Sequence, residues 1–331
     1  MTALASPRST DHGEVHPSLT LQGSAAKSGL AAGVLAALIW AVYFVFAKTG
    51  TAVGLLPQDF ALLRFGPAAL VLLPWLIRHD LPRLAGIGWP RALVLTLLAG
   101  PPFILLSSAG YLYAPLSNGA VIQPSAVTLA SMAAAAVLLG ERIKRAKVIG
   151  IALILAGLAV IASHKSHSGG SMVWLGNLLF LGAGLSWSAY TILFKRWNLD
   201  AVAATAAVAL LSTLLALPML LVTGGFTRLA ALPLQTLLAQ IMVQGVLSGV
   251  VALIAFGMAV RQLGAARASL FPAVVPVAAM ILSVPLTGMV PAAVEIAGAL
   301  LATVGLLAAM GLLRSPRFNT RTLPASKRMS S

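Results

Sequence analysis

Cysteine is absent from this chain of 331 residues. That excludes a disulfide framework, a thiolate metal site and a cysteine nucleophile, and leaves the redox compartment unread. Acid is nearly absent too, with 7 Asp+Glu against 22 Lys+Arg, and charged residues make up only 9%. A soluble domain carries about 25% charged residues, so this chain lacks the polar surface to cover itself. Its hydrophobic share of 59% and mean hydropathy of +0.97 exclude disorder, collagen and a coiled coil, and argue against a soluble enzyme. The five histidines, at 12, 16, 79, 164 and 167, fall in tails or loops. His164 and His167 lack a carboxylate beside them, so no metal site is expected. There is no GxSxG, HExxH or P-loop, and Gly182-Ala183-Gly184 follows no strand. Neither catalysis, a primary pump nor a cofactor is expected.

What is present is hydrophobic length. Apolar runs broken by Gly, Pro and charge predict ten helices near 30–47, 59–77, 92–110, 116–139, 147–163, 173–194, 200–222, 234–259, 265–287 and 291–313. A span needs roughly 20 apolar residues, so the expected fold is an all-α polytopic membrane protein with the lipid bilayer as its partner. Residues 1–28, rich in Ser, Thr, Pro and His, read as a disordered cytoplasmic tail without a secretory signal.

Basic residues in alternate loops set the orientation. On one side fall 18: Arg8, Lys27, Arg78, Arg83, Arg91, Arg142, Lys144, Arg145, Lys147, Lys195, Arg196, Arg261, Arg267, Arg314, Arg317, Arg321, Lys327 and Arg328. The other side has three, Lys48, Lys165 and Arg228. Both termini are therefore expected in the cytoplasm, in a cytoplasmic (inner) membrane. The basic excess is an orientation signal, and no nucleic-acid partner is expected.

The chain also repeats itself. Gln123-Pro124 and Phe271-Pro272, Gly140 and Gly288, Gly150 and Gly298, and Gly157 and Gly305 are each 148 residues apart. Trp40, Tyr43 and Lys48 recur as Trp187, Tyr190 and Lys195 at 147, and Pro74 and Pro218 match at 144. The reading is a first repeat at 29–163, an external linker at 164–172, a second repeat at 173–313 and a basic cytoplasmic tail at 314–331. Five spans per half force successive copies to insert with opposite orientation. Such inverted repeats recur in secondary transporters, whose substrate sites lie at the repeat interface near the midplane.

Several residues carry a functional and a structural reading side by side. Arg64 lies inside a span, where a charge is costly. It either grips a carboxylate or phosphate with its planar fork or is a snorkelled anchor assisted by Asp59. Trp40 and Tyr43, like Trp187 and Tyr190, are three residues apart and share a helical face. They lie too deep for an interfacial belt, and either line a central aromatic substrate site or pack between helices. Pro124 and Pro272 interrupt their spans and free carbonyls, as hinges beside a cavity to which Asn118 and Gln123 offer polar contacts, or as static kinks. Glu141, amid Arg142, Lys144 and Arg145, is a gate or a neutraliser of that loop. Glu295, four residues after Pro291, suits a helix N-terminus. Gly29/Gly33, Gly150/Gly157 and Gly298/Gly305 are packing faces, within a protomer or across a homodimer.

As an ordered set, Trp40/Lys48, Trp187/Lys195, Arg64-Phe65, mid-span Pro124, Gly140-Glu141-Arg142 and Gly150 resemble the drug/metabolite transporter superfamily, EamA type. The resemblance covers about residues 30–313. It implies two five-helix repeats, alternating access and a small-molecule substrate, most plausibly an amino acid or related compound being exported. The chain departs from it at Gly288-Met289, where a second Gly-Glu is common. A cationic-drug proton antiporter is the alternative, although the first span contains no acid. A non-transporting scaffold is the other.

Overall fold

A computed structural model describes residues 18–139, 145–163, 172–263, 270–288 and 290–309. Every regular element among them is helical. The first half comprises α1 (Ser18–Ala52), α2 (Pro57–Arg78), α3 in two segments (Trp89–Ala99 and Pro101–Tyr113), α4 (Leu116–Leu139) and α5 (Arg145–Ser163). The second half comprises α6 (Val173–Arg196), α7 (Ala201–Val222), α8 (Leu234–Gln240, Ile241–Val251 and Ala252–Leu263), α9 (Leu270–Thr287) and α10 (Ala293–Ala309). A short helix, Gly225–Ala230, bridges α7 and α8. Among the described residues, six helices are long and apolar enough to cross a bilayer: Ala26–Ala52, Pro57–Arg78, Trp89–Tyr113, Val173–Phe194, Ala201–Val222 and Leu234–Ala259. Two shorter apolar helices, Phe271–Thr287 and Ala293–Ala309, accompany them.

Local chemistry explains the helix starts. Pro57 occupies the first position of α2, where its missing N–H is no loss. Asp59 accepts from Leu56 N at 2.9 Å, Asp200 from Ala203 N at 2.9 Å, and Glu295 from Ala292 N at 2.9 Å. Three of the scarce acids thus cap helices, each favoured by the local dipole. α1 begins earlier than the expected tail boundary, because no proline follows Pro17 until after the span and Ala25, Ala26 and Lys27 favour helix.

The halves exchange partners. α2 packs on α7 and α5 on α10, while α1 packs on α8 and α9 just as α6 packs on α3 and α4. Equivalent helices meet each other, and each first helix lies against the third and fourth of the other half. A pseudo-twofold axis between the repeats produces this pattern. The α5–α10 contact shows it atom by atom. A Cβ on Gly157 would come within 2.6 Å of Gly298 O, and one on its repeat mate Gly305 within 2.8 Å of Gly150 O. Small residues let these backbones touch. Gly29 lies on Gln262 and Leu263, and Gly33 under the Phe271 ring, so all three glycine pairs considered for a homodimer are covered by the chain's own helices.

The third helix of each half departs from α-geometry. α3 breaks at Gly100, before Pro101 and Pro102. Pro102 has no N–H for Leu98 O, which accepts from Ser186 Oγ of α6 at 2.6 Å instead. In α8, residues Ile241–Val251 form a π-helix. Irregular backbone at membrane depth is tolerated where protein or a cavity covers it, and both stretches face the centre.

Candidate functional site

α2 carries Arg64 seven residues beyond its first, roughly 10 Å along the helix. Only 6% of the residue is exposed. Its Nη1 donates to Ser248 Oγ of α8 at 3.0 Å, and its guanidinium carbon lies 5.0 Å from the centre of the Tyr43 ring of α1. Among the described residues no carboxylate pairs with it. The Asp59 considered as its helper lies elsewhere, bound by Arg228 at 2.8 Å and wholly buried. That hydrogen bond holds the Arg228 guanidinium above its ordinary range. A buried ion without a counter-charge costs several kcal/mol, and one hydroxyl and one ring face offset only part of that.

Arg64 borders a cavity of about 30 Å³, room for a single water. Phe65 and Ala68 of α2, Ala99 of α3, Trp187 and Tyr190 of α6, Thr205, Val208 and Ala209 of α7, and Gly249 and Leu253 of α8 complete the lining. α2 and α7 meet here, on the pseudo-twofold axis. Gly245 and Gly249 admit the α2 backbone, since a Cβ on Gly245 would come within 2.7 Å of Leu63 O. Pro67 leaves that carbonyl without its helical donor.

The residues singled out from the sequence divide into three groups. Arg64, Trp187 and Tyr190 line the central cavity, and Tyr43 supports Arg64 from behind. Trp40 packs against Phe256 at 5.2 Å between centroids and is absent from the cavity lining. Of its two readings this contact fits helix packing, since α1 turns that ring toward α8.

Asn118 and Gln123 belong to other contacts. Asn118 Nδ2 donates to Asn177 Oδ1 at 2.7 Å, beside Ser117, whose hydroxyl donates to Glu295 at 2.6 Å. Gln123 accepts from Ser107 Oγ at 3.0 Å, while its Nε2 is buried without a partner. A second cavity, about 360 Å³, lies among α4, α5 and α6, with Asn118, Ser125 and Asn177 set in an otherwise apolar wall. Pro124 stands inside α4 as expected. Pro272 is the third residue of the described part of α9, whose interior prolines are Pro276 and Pro285; the residues before Leu270, on which its role as an interruption depends, lie outside the described residues. Glu141 lies outside the described residues.

Ser248 was not among the residues singled out. Gln240, Gln244 and Ser248 recur at spacings of four in an apolar run, a polar row that could have identified it. Gln240 donates to Phe46 O at 3.0 Å and Gln244 to Gln240 at 3.3 Å.

Ten helices in two inverted five-helix repeats around an axial cation define an integral membrane protein of the transporter architecture. The EamA-like transporter family model matches residues 27–163 and 174–311, and the chain belongs to that family. A relative described as the uncharacterized transporter YyaM of Bacillus subtilis (strain 168) is 25% identical over 274 residues, covering 80% of this chain and 88% of that protein. A solved crystal structure shares the fold with a TM-score of 0.57 at 20% identity, over 88% of this chain and 99% of its own.

Proposed function

We propose that the protein is a secondary transporter of small metabolites bearing a carboxylate, amino acids or related acids, working by alternating access around the axial cavity. One observation carries this reading: Arg64 is a buried guanidinium with no carboxylate partner among the described residues. Its planar fork suits a carboxylate bidentately, and a cargo carboxylate supplies the missing counter-charge. The cationic-drug antiporter reading loses support at the same place. It needs an acid shared by proton and cargo, whereas this cavity is lined by a guanidinium and no carboxylate.

The membrane-side assignment, with both termini in the cytoplasm and residues 164–172 external, rests on the basic-residue bias. Accessibility tags at residue 10, near Lys165 and at the C-terminus test it, and termini on opposite sides would refute it.

For the site, the test is Arg64→Lys and Arg64→Ala, with carboxylate uptake into proteoliposomes compared with uptake of the methyl esters. Losing the second arm of a bidentate pair removes about 1.5–3 kcal/mol, so Arg64→Lys should weaken carboxylate handling about 10- to 100-fold and leave the esters unaffected. Unchanged uptake by both folded variants assigns Arg64 to anchoring.

A further inference from the structure

The charge balance of the central cavity narrows the carboxylate reading, on which this inference rests, from amino acids to the related acids that lack an ammonium group. Besides Arg64, the lining offers donors: the Trp187 indole N–H and the Tyr190 hydroxyl have no protein acceptor among the described residues. No acidic side chain lines it. An α-ammonium group arriving with a cargo carboxylate would stand beside the guanidinium with no protein carboxylate to offset it. The acceptors left to it are neutral, the Thr205 hydroxyl and the aromatic faces, and the aromatic faces are taken. Trp187 lies between Phe103 and Tyr190, at 5.0 and 5.1 Å between centroids, and Tyr43 already carries Arg64. The site therefore fits an anion that brings no ammonium of its own.

A carrier of anions commonly balances its cargo with a proton, and a side chain must hold that proton. The sequence has seven acids. Asp11 and Glu14 precede α1, and Glu141 falls between the ends of α4 and α5. Asp80 sits in the loop after α2, beside Arg83. Asp59 is paired with Arg228, and Asp200 and Glu295 cap α7 and α10. The histidines lie at 12, 16, 79, 164 and 167, outside the spans. The titratable groups facing Arg64 are phenols, Tyr43 from α1 and Tyr190 from α6, while α7 and α8 present Thr205 and Ser248. None of these is a carboxylate or an imidazole, the side chains that exchange protons near neutral pH.

We propose that the cargo is a monovalent organic anion, a carboxylate without an amino group such as a 2-oxo acid, and that it crosses with its charge uncompensated. Over a full cycle the carrier returns to its starting state, so Arg64 adds nothing to the charge moved and the cargo alone sets it. The membrane potential then drives transport, and a potential negative inside drives the anion out.

The test uses the full-length protein in proteoliposomes at equal pH on both sides, with valinomycin and potassium tenfold higher outside, making the interior positive. The probes are 3-methyl-2-oxobutanoate and phenylpyruvate, each against its amino acid counterpart, valine or phenylalanine, with protein-free vesicles as blanks. Each 2-oxo acid should accumulate about tenfold, as one charge moving with the potential requires. The amino acids should stay at their blank level, and a pH gradient without potential should produce no accumulation. Equal transport of the amino acids, accumulation that follows the pH gradient, or uptake only into vesicles preloaded with substrate each overturns the proposal. Electroneutral uptake that still requires Arg64 refutes the charge claim and leaves the carboxylate site standing. Failure of both oxo acids to enter, with no other carboxylate showing Arg64-dependent uptake, removes both.

Discussion

Replacing Arg228 by alanine strips a fully buried carboxylate of two of its three hydrogen bonds. Asp59 Oδ1 accepts from Arg228 Nη2 at 2.8 Å, and Oδ2 accepts from Nε at 3.0 Å and from Leu56 N at 2.9 Å. The guanidinium also donates to Thr223 O at 2.6 Å, so one residue ties the short helix Gly225–Ala230 to the first turn of α2. Hydrogen bonds to a charged group contribute about 1.5–3 kcal/mol each. The Arg228 side chain is 27% exposed, so water reaching the vacated space restores part of that, and a loss of about 2–4 kcal/mol remains. Asp59→Asn keeps an acceptor for Leu56 N but forfeits the charge, and should cost about 1–2 kcal/mol. Because both changes break one interaction, the double variant should fall short of additivity by about 1–2 kcal/mol. Unfolding in mixed micelles at rising SDS fraction measures all three. A loss below about 0.5 kcal/mol for Arg228→Ala, or strict additivity, would refute the claim that this pair holds the loop helix to α2.

Two further outcomes follow from contacts already described. Gly157→Ala sets a methyl group against the backbone oxygen of Gly298 and should cost about 1–3 kcal/mol, whereas Gly257→Ala in α8, with nothing within 4 Å of an added Cβ, should be neutral or gain about 0.5–1 kcal/mol; equal melting temperatures of the two variants would contradict the close α5–α10 approach. Trp187→Phe removes a donor from the central cavity and should weaken cargo binding about three- to tenfold, roughly one neutral hydrogen bond. Trp40→Phe should lower the melting temperature with binding unchanged, and a common effect of the two on affinity would return Trp40 to the site.

The spans were legible because lipid demands long apolar runs and the sequence punctuates them with Gly, Pro and charge. The expected helices at 116–139 and 173–194 differ little from α4 and α6. The break in α3 was also written in the chain, as Gly100-Pro101-Pro102, but an apolar run of the right length concealed it. The π-helix of α8 has no comparable local signal. Its backbone is set by packing on α2, where Gly245 and Gly249 admit Leu63 O and Arg64 O. Asn118 and Gln123 line no part of the central cavity, although Asn118 borders the second one, and the sequence alone could not tell these cases apart. Polar side chains in a membrane are satisfied by one another as readily as by a cavity, and here Asn177 and Ser107 take them.

The internal repeat locates the site and also explains why comparing its two halves could not reveal the chemistry there. At the offset of 144 that aligns Pro74 with Pro218, Arg64 corresponds to Val208 and Phe65 to Ala209. All four residues line the central cavity. α2 and α7 therefore bring equivalent positions to one point, as helices flanking a twofold axis must. A guanidinium from both would place two like charges a few ångströms apart at low dielectric, which is strongly unfavourable. The cation must come from one half alone. The repeated glycines of α5 and α10 close the scaffold, and the residue that breaks the repeat carries the charge at the central cavity. From this position Arg64 touches both halves, with Tyr43 of the first beside it and Ser248 of the second bonded to it, so under the alternating-access proposal a single guanidinium could meet an anion from either side of the membrane.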